Sequence, residues 1–99
     1  MQATIKKDEN VLYIAVSGRL DTVTSAELKE KLEAEGYESV DIDFDFAEVE
    51  YISSAGLRLV LALQKQAMET GNKLTIRNVN KVVTEIFRVA GFNKALNIV

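Results

Sequence analysis

Val40-Asp41-Ile42-Asp43-Phe44-Asp45-Phe46 alternates apolar and acidic residues without a break. A period of two belongs to a strand, with Val40, Ile42, Phe44 and Phe46 on one face and three aspartates on the other. Lys73-Leu74-Thr75-Ile76-Arg77 alternates as well. If the two strands are neighbours, Lys73 and Arg77 share the acidic face, and cross-strand pairs offset its charge. A sheet with one apolar and one charged face is covered by helices on one side and wet on the other. The three carboxylates are spread over about 13 Å of strand. A hard cation gathers its oxygens within about 2.6 Å, so no metal is expected there.

The segment between these strands reads as a helix starting at Ser53 or Ser54 and running to about Thr70. Leu57, Leu59, Val60, Leu61, Ala62 and Leu63 make its first half apolar nearly all round, so it should be the most buried helix. Gly71-Asn72 ends it. Beyond the Lys73 strand, Asn80 is placed to cap a helix carrying Val82, Val83, Ile86, Phe87 and Ala90 as far as Gly91. Ala95 to Val99 reads as an edge strand.

Towards the start of the chain, Ala3 to Lys7 and Val11 to Val16 read as an antiparallel hairpin across Asp8-Glu9-Asn10. The nearly unbroken apolar run of the second strand suggests neighbours on both sides, much of both faces covered and a place at the centre of the sheet. Ser17 to Thr22 reads as a loop. Thr24 with Glu27 forms a capping box, Val23 can staple onto Leu28, and the helix should run from Ser25 to about Glu35. Leu28 and Leu32 mark its core side, Glu27 with Lys31 and Lys29 with Glu33 its wet side, and Gly36 closes it.

The order β-β-α-β-α-β-α-(β) predicts parallel pairing through right-handed crossovers. The fold class is α/β: an open mixed sheet of four to five strands with helices mainly on one face, and residues 1–99 forming a single domain. A length of 99 residues with 47% hydrophobic and 27% charged residues fits an ordinary globular chain. No run reaches the roughly 18 apolar residues of a membrane span, and Met1 to Lys6 lacks a signal peptide's hydrophobic region, so a cytoplasmic location is expected. A net charge of −3 with both signs interleaved gives no footprint for nucleic acid or an anionic membrane.

Absences exclude whole classes of chemistry. Without Cys or His there is no disulfide, thiol nucleophile, Ser-His-Asp triad or zinc site built on sulfur or imidazole. A Ser-Lys pairing finds no lysine in the serine loop. The five glycines stand singly, so neither GxGxxG nor GxxxxGK[ST] occurs. No cofactor is expected.

What remains is Glu50-Tyr51-Ile52-Ser53-Ser54-Ala55-Gly56-Leu57, which puts two hydroxyls at a helix entrance and a glycine where backbone can approach closely. Capping alone accounts for one serine. The loop falls at the carboxyl end of the Val40 strand, where open α/β sheets usually place function.

Gly18-Arg19-Leu20-Asp21 entering one helix, an alternating strand, and Tyr51-Ile52-Ser53-Ser54-Ala55-Gly56-Leu57 entering the next together resemble the STAS domain family of bacterial anti-sigma factor antagonists, over essentially the whole chain. The resemblance implies a domain that is no enzyme. It binds an anti-sigma factor that is also a serine kinase, releases the sigma factor, and is switched off when that kinase phosphorylates one serine. A phosphatase of the PP2C type is implied as the reversing partner. Aligning Gly56-Leu57 puts the phosphorylated serine at Ser54 and the family's loop aspartate at Asp21, with Asp21, Ser53, Ser54, Ala55, Gly56 and Leu57 as the partner-binding set. The family usually has Asp just before that serine, and Ser53 stands there instead, which keeps Ser53 open as an alternative acceptor. Two other readings stay open: an interaction module in a signalling assembly that is never phosphorylated, and a small nucleotide- or metabolite-binding domain.

Overall fold

In the computed structural model, which describes residues 2–99, the aspartate-bearing strand is the middle of a five-stranded sheet. β1 (Gln2–Asp8) pairs antiparallel with β2 (Val11–Leu20). β2 runs parallel to β3 (Asp41–Ile52), β3 to β4 (Leu74–Arg77), and β4 to the short edge strand β5 (Asn97–Ile98). Helices α1 (Thr22–Glu35), α2 (Ser54–Glu69) and α3 (Lys81–Val89) fill the crossovers. The expected element order and mixed open sheet are both present.

The alternation sorts the chain as read. Val40, Ile42, Phe44 and Phe46 are buried, and Phe46 stands edge-on to Phe44 with ring centres 4.7 Å apart and lies 6.0 Å from Phe87 of α3. Leu28 and Leu32 of α1, Leu59, Val60 and Leu63 of α2, and Val83 and Phe87 of α3 join the inward residues of the sheet in one core. On the other face Arg77 Nε donates to both oxygens of Asp43, at 2.9 and 2.8 Å, a cross-strand pair of the Asp to Lys or Arg kind expected for neighbouring strands. Asp41 is held by the Lys73 amide and the Asn72 side chain, which draw its carboxyl below the ordinary range in that order of strength.

Five expectations change. The centre of the sheet is β3, not β2. β2 does have a neighbour on each side, but only one face is covered: Leu12, Ile14 and Val16 are buried while Tyr13 is 44% exposed, because no helix lies across that side. Ser17 to Leu20 is not loop but the end of β2, kept in the sheet by pairing with β3, and β3 itself continues through Ala47–Ile52. Thr24 does not cap α1: Asp21 does, Thr24 is the third helical residue, and Val23 is 65% exposed, too far out to staple anything. α2 carries more buried residues than α1 or α3, yet Leu57 and Leu61 are only half-buried and Ala62 is exposed.

Candidate functional site

The register of β2 on β3 builds the site. Ala15 stands opposite Asp45, but Ser17 opposite Glu48, and Gly18 opposite Val49, but Arg19 opposite Tyr51. β3 thus takes up an extra residue twice. Each bulge turns its alternation over, which sends Val49 and Ile52 into the core and leaves Glu48 and Glu50 exposed. Gly18, at φ 87°, supplies a conformation within this stretch that a side chain would resist. The two strands then end level, Leu20 opposite Ile52, so the residues that follow, Asp21 and Ser53, open two adjacent helices. The Ser53 amide donates to the Leu20 carbonyl at 2.8 Å and ties the two exits together.

Asp21 caps α1 reciprocally. Its carboxylate accepts the Thr24 amide at 3.0 Å, and Thr24 Oγ1 accepts the Asp21 amide at 2.9 Å. The Thr24 amide, then the Thr24 hydroxyl, hold the Asp21 carboxyl below the ordinary carboxylate range. Thr24 Oγ1 also donates to the Arg19 carbonyl at 2.6 Å. The Arg19 guanidinium lies 4.4 Å above the Tyr51 ring, its partner across the strands.

The serines divide their work. Ser53, half-buried and extended (φ −91°, ψ 178°), is the cap of α2, and its Oγ accepts the Gly56 amide at 3.5 Å. Ser54 is the first helical residue and is exposed. Ala55 is half-buried on the side towards α1, Gly56 is buried against Leu20, and Leu57 is half-buried against the core. The structure therefore brings Asp21 and the Ser53 to Leu57 segment to one end of the sheet. Asn80, the cap of α3, joins that end by donating through Nδ2 to the Val49 carbonyl at 2.8 Å. Arg19 and Thr24 escaped sequence reasoning as members of this end. The signal for Arg19 was its place in the Gly18–Asp21 segment, which only the bulged register turns towards Tyr51.

Among the described residues no group of three or more Asp and Glu is arranged to hold a metal ion, and no helix is long and apolar enough to cross a membrane.

Comparison with known proteins follows the same lines. Residues 3–99 match the family described as "Mlab, STAS domain". BtrV of Bordetella bronchiseptica, named as a candidate anti-sigma factor antagonist, is 32% identical over 97 residues, covering 93% of this chain and 80% of its own. The anti-sigma-B factor antagonist of Bacillus subtilis is 23% identical over 94 residues, covering 95% and 86%. Solved structures share the fold as well. Among them are a candidate anti-sigma factor antagonist from Thermotoga maritima (TM-score 0.84, 17% identity, 97% of this chain and 84% of that one) and the Bacillus cell fate determinant SpoIIAA in its phosphorylated form (TM-score 0.75, 16% identity, 99% and 91%). From residue 3 to its last residue, this chain belongs to the STAS domain family.

Proposed function

We propose that the protein is an anti-sigma factor antagonist that binds an anti-sigma factor with serine kinase activity through Asp21 and the Ser53 to Leu57 segment, thereby freeing a sigma factor, and that phosphorylation of Ser54 ends the binding. One observation carries the choice of serine: Ser53 is occupied as the cap of α2, while Ser54 stands exposed one residue further on. The names of its relatives support the antagonist role, and the existence of a phosphorylated form of SpoIIAA, which shares the fold, supports the switch.

The chemistry suits a switch. The kinase moves the γ-phosphoryl group of ATP onto Ser54 Oγ, leaving ADP, and adds about −1.5 to −2 charges. The free amides and dipole at the start of α2 favour an anion there, so the domain stays folded. A partner covering the same end must strip water from that charge close to the Asp21 carboxylate, and an unpaired buried charge is costly. The domain is thus the ligand and the substrate of its partner and catalyses nothing itself. Incubation with the cognate kinase and ATP, followed by mass spectrometry, tests the assignment. Phosphate on Ser54 is the expected result, and phosphate on Ser53 with Ser54 unmodified would overturn it.

A further inference from the structure

We propose that the groove between α1 and α2 binds a small organic anion with an apolar body, of the kind represented by a medium-chain carboxylate. Two helical stripes face each other there: Ser25, Ala26 and Lys29 on α1, and Ala55, Arg58 and Ala62 on α2. The three alanines project little from the two helices and so leave about 360 Å³ above Leu59 and Leu63. That volume lies at the small end of ligand sites, which run from about 300 to 1,000 Å³.

One feature indicates the ligand's charge and a second its polar head. First, no carboxylate lines the groove, although the chain as a whole carries −3. Its walls instead hold one exposed cation each, Lys29 and Arg58, and the ion pairs among the described residues, Arg77 with Asp43 and Arg88 with Glu85, involve neither. Second, the Ser25 side chain is 5% exposed and its Oγ is the one buried side-chain polar atom, among the described residues, with no hydrogen-bond partner. Buried polar groups nearly always have partners, so this orphan hydroxyl, shielded beneath the wall of the empty groove and able both to donate and to accept, marks a place where a turn of the Ser25 side chain brings it to a ligand's polar head. A carboxylate head between Lys29 and Arg58 meets both cations, with Ser25 beneath it, and its apolar tail lies on Leu59 and Leu63. A nucleotide would set a polar base and ribose against the same leucines and leave their hydrogen bonds unmade.

The proposal stands whether or not Ser54 is modified. Amide NMR titration of the whole chain tests it, with octanoate as probe and 1-octanol, octylammonium and GTP as comparisons. Octanoate alone should produce saturable shifts at Ser25, Lys29, Ala55 and Ala62. Replacing both cations, as K29Q/R58Q, should weaken binding by about tenfold or more, since two charged hydrogen bonds are lost and one alone carries about that weight. Ala62→Phe places a ring in the groove from an exposed position and should abolish binding with the melting temperature unchanged. Equal shifts from 1-octanol, saturation by GTP but not octanoate, no saturable octanoate shifts, or octanoate binding untouched in K29Q/R58Q would each overturn the assignment.

Discussion

The Leu20 carbonyl oxygen lies 2.8 Å from the point where a Cβ on Gly56 would stand, and Ile52 Cγ1 lies 2.6 Å from the same point. The first turn of α2 is therefore seated on the end of β2 with no room for a methyl group. Glycine is required here for close approach and not for an unusual φ. Gly56→Ala should lower stability by about 1–3 kcal/mol through overpacking. Urea denaturation would show it as a lower midpoint with an unchanged slope. A midpoint equal to that of the parent chain would mean that the helix seat is looser than these contacts require.

Capping at Ser53 makes a second prediction. Its bond to the Gly56 amide is long, 3.5 Å, so Ser53→Ala should cost about 0.5 kcal/mol, the low end of the range for a lost cap. Ser53→Asp keeps a capping oxygen and adds a charge that the helix start favours. Thermal denaturation should rank Asp at or above Ser, and Ser above Ala.

Most of this fold was legible because its signals are local. The period of two in Val40–Phe46 and in Lys73–Arg77 marked two strands and their faces, and pointed to cross-strand pairs of Asp with Lys or Arg; which pair forms, Asp43 with Arg77 on the diagonal, depends on the register that sets Asp45 opposite Arg77. What sequence reading missed depends on partners distant along the chain. Ser17-Gly18-Arg19-Leu20 has loop composition and becomes strand only because β3 bulges twice to meet it. Thr24 and Asp21 are both good caps in isolation, and the choice of Asp21 follows from where β2 stops, level with Ile52. The candidate site was visible as two motifs. That Ser53 would be the cap and Ser54 the exposed hydroxyl was left open, since either serine can cap a helix in the abstract.

Acid stability follows from Asp21 and Asp41. Both carboxyls are held below their ordinary value of 3.8 by hydrogen bonds, Asp21 chiefly from the Thr24 amide and Asp41 chiefly from the Lys73 amide. Because the folded values are depressed, the unfolded chain binds more protons as pH falls below about 4. The stabilisation is fully present above 3.8 and is lost as pH drops through the folded values. Asp21→Asn retains a good capping side chain but cannot titrate, so its denaturation midpoint should fall less steeply below pH 4 than that of the parent chain.

The wet face of the sheet should stay free of metal. Asp43 is engaged by Arg77, Asp41 by Asn72 and Lys73, and Asp45 by Asn78 and the Ala47 amide. Calorimetry with magnesium and calcium should give no stoichiometric heat. Asp43→Ala should change stability by less than about 1 kcal/mol, as for other solvent-screened pairs. Tight binding abolished by Asp43→Ala would reveal a site that the alternation conceals.

The central claim is that a negative charge at Ser54 blocks the partner without unfolding the domain. Ser54→Asp adds a carboxylate where the start of α2 favours one, so its stability should equal or exceed that of Ser54→Ala. Affinity should rank the other way, since desolvating the new charge beside Asp21 costs a few kcal/mol, or about a hundredfold in Kd. Titration of both variants against the anti-sigma kinase measures this directly. The account predicts near-parental affinity for Ser54→Ala and about a hundredfold weaker binding for Ser54→Asp, and equal affinities for the two would contradict it.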